Sequence, residues 1–111
     1  MTTIWKFPVN ISDTLTIMMP KGARILTVDT QREQPCLWAV IDEDAPLVLR
    51  EFVVRGTGHD LADIDDLAYV GTFQTQQGHL IWHLFERRII TLHDVDSGGS
   101  DDGDVKVGLT A

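Results

Sequence analysis

The residues best suited to chemistry form the run Gly56-Thr57-Gly58-His59, which directly follows Arg55. Two glycines can turn successive backbone amides toward one point and so form a concave site for an anion. The Arg55 guanidinium offers a planar fork that matches a phosphate, and Thr57 and His59 offer further donors. The run therefore predicts a ligand-binding loop composed of Arg55, Gly56, Thr57, Gly58 and His59.

The same run is also typical of a tight connection between two sheets, where glycine is needed because it adopts a positive φ without strain. It is not a dinucleotide fingerprint, since the third glycine and the following helix are missing. It is not a phosphate loop of the Gly-Lys-Ser/Thr type either. Both interpretations of the run, ligand loop and plain connection, remain open from the sequence.

Three tryptophans are many for a chain of 111 residues. Core packing accounts for Trp38, which lies in the apolar run Leu37–Ile41. Trp5 and Trp82 fall on strands that we expect to be outer ones, where an exposed ring can stack on a nucleobase or anchor a subunit contact. Trp5 and Trp82 therefore join the candidate ligand-binding residues.

Histidine and cysteine do not combine into a metal site or a nucleophilic centre. On a strand, His79 and His83 would lie about 13 Å apart, which is too far for one ion. Cys36 is the one cysteine of the chain, and in an apolar strand its thiol is inert. No coupled acid, base and nucleophile is visible, so we expect no catalytic residue, no cofactor, no metal and no enzyme activity.

Charge and hydropathy restrict the partners. The chain has 9 basic and 17 acidic residues and a formal net charge of −8. Such a surface repels nucleic-acid phosphates and anionic lipid, so direct DNA or RNA binding and membrane binding are disfavoured. The opening residues do not form a secretory signal, and the longest apolar run is far shorter than the ~20 residues of a membrane span. We therefore expect an intracellular protein.

Apolar and polar residues alternate with a period of two in seven segments, separated by turn residues rich in Gly, Pro, Asn and Asp. This pattern predicts an all-β fold, a single compact antiparallel sandwich or small barrel of about seven strands. Pro8 lacks an amide donor, so its strand is expected to lie at a sheet edge or to end near this residue. The seven segments are Ile4–Val9, Thr14–Met19, Arg24–Thr30, Cys36–Ile41, Leu47–Arg55, Ala68–Gln74 and His79–Glu86.

Two of these segments carry further expectations. Cys36–Ile41 is apolar at both alternating sets of positions, which predicts a central strand buried on both faces. Residues 79–92 also fit an amphipathic helix, but the preceding run Thr75-Gln76-Gln77-Gly78 favours a hairpin and hence a strand.

Composition changes after residue 86. Residues 1–86 form the predicted β domain, and residues 87–93 can add a short strand. Residues 94–111 are rich in Gly, Ser and Asp and lack aromatics, which predicts a disordered acidic tail. The aspartates of this tail do not follow the calcium-loop pattern, since Gly98 and Val105 occupy positions that need oxygen ligands.

Five motifs, taken together and in order, resemble a family of small proteins of unknown function carried by bacteriophages and prophages. The resemblance covers residues 3 to about 86 and implies a phage accessory protein in the host cytoplasm or on the virion. The motifs are Ile4-Trp5-Lys6-Phe7-Pro8, Met19-Pro20-Lys21-Gly22-Ala23-Arg24-Ile25-Leu26, Pro35-Cys36-Leu37-Trp38-Ala39, Gly56-Thr57-Gly58-His59 and Tyr69-Val70-Gly71-Thr72-Phe73-Gln74.

These observations lead to a stoichiometric binding protein that forms a homo-oligomer through an exposed edge or aromatic face. As an anti-defence protein it would sequester a nucleotide immune signal or block a host defence protein. In the nucleotide version, the Arg55–His59 loop holds the phosphate and Trp5 or Trp82 stacks on the base. The alternative is a virion structural or assembly accessory protein, for which the glycine loop has no chemical role.

Overall fold

The computed structural model describes residues 1–88. It confirms the all-β sandwich, with seven strands in two antiparallel sheets. Every strand begins and ends within two residues of the bounds expected from the alternation pattern. The elements are β1 (Thr2–Pro8), β2 (Thr14–Pro20), β3 (Arg24–Gln31), β4 (Gln34–Asp42), β5 (Leu47–Gly56), a single 3₁₀ turn (Ile64–Asp66), β6 (Leu67–Thr75) and β7 (Leu80–Arg87).

The strand order is β1-β4-β3 in one sheet and β2-β5-β7-β6 in the other. Alternation places one set of side chains from each sheet between the two layers, as in other sandwiches. β2, for example, directs Leu15, Ile17 and Met19 inward and Thr14 and Thr16 outward, as expected. The largest fully buried side chains of the core are Phe52, Phe73, Met19, Leu37, Ile41 and Leu84.

β4 is the central strand of the three-stranded sheet, as expected, but it is not buried on both faces. Leu37, Ala39 and Ile41 point inward and are almost inaccessible. On the opposite face Trp38 and Val40 are only half-buried, so the expectation that Trp38 belongs to the core was wrong. Because only one face of the three-stranded sheet is covered, Trp38 and Val40 keep partial contact with water, whereas Cys36 near the start of the strand is buried.

β3 and β6 run side by side and join the two sheets along one margin. Each strand carries a register shift, between Ile25 and Thr27 in β3 and between Tyr69 and Gly71 in β6. A Cβ atom added to Gly71 would lie 2.7 Å from Cγ1 of Val28. The close approach of the two strands therefore depends on glycine at position 71.

β7 follows the hairpin turn expected at residues 75–78, and it is a strand rather than the alternative helix. It lies between β5 and β6 in the four-stranded sheet. Trp82 therefore sits on an inner strand, and its expected position on an outer strand was wrong. β1 is an edge strand and ends at Pro8, which agrees with both alternatives that the proline indicated.

The segment 57–66 must cross the outer face of the four-stranded sheet. β5 and β6 are both antiparallel to β7, which lies between them, so the chain leaves one end of the sheet and re-enters at the other. Beneath this segment a second, smaller apolar cluster forms on the outer face. Its members are Val53, Leu67 and Phe85, with Leu61 of the crossing segment packed against them.

Residues 89–111 lie outside the described part of the chain, and with them most of the expected extra strand at 87–93 and the whole expected tail at 94–111.

Candidate functional site

The Gly56–His59 run forms a tight turn in which most backbone amides already donate hydrogen bonds to other groups of the protein. The amide of His59 donates to the carbonyl oxygen of Gly56 at 3.0 Å, and the amide of Gly56 donates to Nδ1 of His59 at 3.0 Å. The amide of Thr57 donates to the carbonyl oxygen of Ile81 at 3.3 Å. An anion held by this loop would have to displace these bonds. Phosphate binding here stays a prediction that requires the turn to open.

Glycine at position 56 makes room for the imidazole of His59. A Cβ atom at this position would lie 2.8 Å from Cε1 of that ring. The ring meets Trp82 edge to face, with centroids 6.3 Å apart. Trp82 in turn donates from Nε1 to the hydroxyl of Thr75 at 2.9 Å. The structure thus brings the loop and Trp82 together, as the nucleotide hypothesis requires.

The cleft beside this aromatic pair is small. It measures about 220 Å³ and is lined by Gly56, Thr57, His59, His79, Leu80, Ile81 and Trp82. Pockets for drug-sized ligands typically span about 300 to 1,000 Å³, so this cleft could hold only part of a nucleotide. Trp5 does not contribute to it, because it lies on β1 in the other sheet, where its ring contacts Phe7.

Arg55 braces the crossing segment. Its Nη1 donates to the carbonyl oxygens of Asp13 and Val54, and its Nη2 lies 3.4 Å from the carboxylate of Asp63. Arg87 approaches the same carboxylate and also pairs with Glu51 at 3.1 Å. Asp63 therefore links the segment to β5 and β7. The neighbouring groove contains Asp13, Asp60 and Asp63 beside Arg55, a charge balance that repels phosphate.

A chain of hydroxyl and imidazole groups lies on the outer face of the four-stranded sheet, and no sequence motif indicated it. His83 bonds through Nε2 to the hydroxyl of Thr57 at 2.8 Å and through Nδ1 to that of Thr72 at 2.9 Å. The Thr72 hydroxyl also meets the phenol of Tyr69 at 2.7 Å. These groups come together because the crossing segment delivers Thr57 onto β7.

The structure places an anion-binding nest at a different turn from the expected one. Gln76 and Gln77 both have positive φ, of 53° and 57°, which points their amides to one side. The two amides donate hydrogen bonds to the carboxylate of Glu33, which lies in the turn between β3 and β4. The amide of Gln76 is 2.6 Å from Oε1 and the amide of Gln77 is 3.3 Å from Oε2. This nest therefore holds a carboxylate of the protein itself and ties two hairpin turns together.

Residues 1–88 contain no cluster of side chains suited to metal binding or to thiol chemistry. Within this range no three side chains of His, Cys, Asp or Glu lie close enough to hold a metal ion. Cys36 is buried, and its thiol donates to the carbonyl oxygen of Gln34 at 3.5 Å. The same residues contain no helix with the length and apolarity needed to cross a membrane.

The outer face of the three-stranded sheet has an apolar centre that no other described segment covers. Pairing across β1, β4 and β3 places Ile4 beside Val40 and Lys6 beside Trp38 on this surface. Ile4 is 54% exposed. Two charged residues lie beside the apolar ones. Arg24 of β3 pairs with Val40, and Lys6 of β1 reaches across β4 to donate to the side-chain oxygen of Gln31 on β3 at 2.8 Å. We call this surface, defined by Ile4, Trp38 and Val40, the open face.

Fold and surface together define a small all-β sandwich with one sheet face closed by a crossing segment and the other open. The chain belongs to the family described as Domain of unknown function (DUF7352), whose model matches residues 1–91. No curated protein and no solved structure matches the chain.

Proposed function

We propose that this protein is a bacteriophage accessory protein that acts in the host cytoplasm by stoichiometric binding of a protein partner, such as a component of host defence. The observation that carries the proposal is the open face. An exposed apolar centre that includes a tryptophan and has an arginine beside it is typical of a protein–protein interface. The resemblance of five sequence motifs to phage and prophage proteins supports the phage setting.

The contrast between the two sheets supports this choice of surface. On the four-stranded sheet, the segment 57–66 covers the apolar cluster of Val53, Leu67 and Phe85. On the three-stranded sheet, Ile4, Trp38 and Val40 have no comparable cover in the described chain. Contiguous apolar surface that a chain leaves uncovered is typical of interaction sites.

The nucleotide-sequestering alternative rests on Arg55, Gly56, Thr57, Gly58, His59 and Trp82, and it has weaker geometric support. Three loop amides and the Arg55 guanidinium already have partners inside the protein. A ligand at 100 times its dissociation constant would add about 2.7 kcal/mol to stability. We expect no such thermal shift with cyclic di- and trinucleotides. A shift that His59→Ala abolishes would replace our proposal with the nucleotide function.

Partner capture tests the proposal directly. The tagged protein is purified from bacterial cells as the wild type, as Ile4→Glu and as Ile64→Glu. Ile64 is 42% exposed and lies on the crossing segment, so it provides a matched change away from the open face. We expect a stoichiometric partner with the wild type and Ile64→Glu, and its loss with Ile4→Glu. Equal capture by all three proteins would refute the assignment of the open face.

The virion alternative makes a different prediction. A structural or assembly accessory protein would be found in purified virions in fixed proportion to the capsid or tail proteins. Our proposal predicts that the protein stays in the host cytoplasm, and mass spectrometry of purified particles distinguishes the two.

A further inference from the structure

Two strand edges have no neighbouring strand in the described chain, and they differ in how they are protected. β3 and β6 adjoin each other, which leaves β1 and β2 as the open edges. Natural proteins protect such edges with charges, prolines and bulges. β1 carries Lys6 near its middle and ends at Pro8. β2, with the sequence TLTIMMP, has no charged residue and no register shift against β5, and proline occurs only at its last position.

Only a few backbone N–H and C=O groups of β2 face this edge without a strand partner in the described chain. In an antiparallel strand the N–H and C=O of one residue point to the same side, and those of the next residue to the other side. The carbonyl oxygen of Asp13 accepts a hydrogen bond from the amide of Val54, just before β2 begins. The amide of Lys21, just after β2 ends, donates to the carbonyl oxygen of Pro46. The odd-numbered residues of β2 therefore face β5, and the even-numbered residues face the open edge.

The ends of this edge are already satisfied. The carbonyl of Thr14 accepts from the hydroxyl of Ser12 at 2.9 Å. The carbonyl of Pro20 accepts from the amide of Ala23 at 3.0 Å, and proline has no amide hydrogen. The groups left at the middle of the edge are the N–H and C=O of Thr16 and Met18.

This pattern is complementary to itself. If β2 pairs antiparallel with β2 of a second copy about a two-fold axis at Ile17, Thr16 of each copy lies opposite Met18 of the other. Each of the two Thr16–Met18 pairs then exchanges both of its backbone hydrogen bonds. The same register places Asp13 of one copy opposite Lys21 of the other, at both ends of the strand pair. A two-fold interface of this kind is the commonest in soluble oligomers.

The side chains around the edge fit the same interface. Met18 is 50% exposed, and its neighbour on β5, Leu49, is 39% exposed. Leu47, opposite Pro20, is 54% exposed. All three lie on the outer face next to the edge, where an added strand would cover part of their apolar surface.

We propose that the β2 edge is a docking surface for a second copy of this chain. The two four-stranded sheets join there into one continuous eight-stranded sheet, held by backbone bonds at Thr16 and Met18 and by Asp13–Lys21 pairs. The choice of a second copy follows from the symmetric register and from the charge complementarity of the strand ends. The interface is separate from the open face of the three-stranded sheet.

Analytical ultracentrifugation of the full chain over a range of concentrations tests this proposal. The wild type is expected to sediment as a dimer of the 12.4 kDa chain. Met18→Lys places a charge on the edge and is expected to give a monomer. Leu26→Lys, at a residue of similar exposure on β3, is the matched control and is expected to remain a dimer. Circular dichroism checks that each variant is folded.

A charge swap identifies the register. Asp13→Lys or Lys21→Asp alone places like charges at both ends of the strand pair and is expected to weaken the dimer about tenfold. The double variant restores opposite charges and is expected to recover wild-type affinity. A monomeric wild type at all concentrations would overturn the proposal. So would a dimer that Met18→Lys leaves intact, or a double variant as weak as the two singles.

Discussion

The ion pair between Arg50 and Glu86 offers the sharpest test of how the two sheets are held together. Nε and Nη2 of Arg50 donate to the two oxygens of Glu86 at 2.6 and 2.7 Å. Its Nη1 donates to the carbonyl oxygen of Ala23 at 2.6 Å, just before β3 begins. One guanidinium therefore connects β5, β7 and the turn that leads into the other sheet. We predict that replacing either partner destabilises the whole domain.

The expected magnitude follows from burial. The two side chains are 17% and 19% exposed, and breaking a fully buried pair typically costs about 3 to 5 kcal/mol. Because part of each side chain reaches water, we expect a loss of about 2 to 3 kcal/mol for Arg50→Met or Glu86→Gln. For a domain of this size that corresponds to a fall in Tm of about 10 to 20 °C.

Urea unfolding followed by circular dichroism measures these free energies. The double variant Arg50→Met/Glu86→Gln removes both charges, so we expect it to lower the free energy of unfolding clearly less than the sum of the two single changes. Arg24→Met, at an exposed arginine, is the control and is expected to change stability by less than about 0.5 kcal/mol. A loss below about 1 kcal/mol for both single variants, or strict additivity in the double, would refute the bridging role.

Three further predictions concern the core, the seam between the sheets and the turn nest. Phe52→Ala empties a fully buried site and should lower the free energy of unfolding, measured with urea, by about 3 to 5 kcal/mol. A loss as small as that of a surface substitution would contradict the placement of Phe52 in the core. Gly71→Ala should lower the free energy of unfolding by about 1 to 3 kcal/mol, because the added Cβ would meet Val28. Adding Val28→Ala should recover part of this loss. The same loss with and without Val28→Ala would argue against the contact. Glu33→Gln should cost about 1 kcal/mol and speed amide exchange at residues 76 and 77, and unchanged exchange would show that the carboxylate does not hold that turn.

Much of the fold could be predicted from the sequence, because strands and turns are encoded locally. The period-two alternation gave all seven strands, and the run Thr75–Gly78 gave the hairpin into β7. Pro8 correctly indicated an edge strand. The expectations that failed concern neighbours rather than local conformation. Trp38 and Trp82 were placed wrongly because exposure depends on which strands flank a residue and which faces are covered.

The candidate site could be predicted only in part. The sequence singled out Gly56, His59 and Trp82, and the structure brings these three together at one cleft. It does not bring Trp5 to that cleft, and it gives Arg55 partners within the protein. The bonds of His83 and Glu33 join residues far apart in the chain, and no local pattern reveals such partners.

The amino-acid sequence was sufficient to predict the β class, the number of strands and their approximate bounds, and in β2 also the side that faces the core. These properties follow from side-chain alternation and turn chemistry, which act over a few residues. Four features became apparent only from the three-dimensional structure: the sheet order, the crossing of segment 57–66 over β7, the bracing role of Arg55 and the two edges that no strand within residues 1–88 covers. Those features depend largely on contacts between residues far apart in the chain, such as Arg50 and Glu86, which are 36 positions apart. Such contacts form only when the strands assemble and the two sheets pack together.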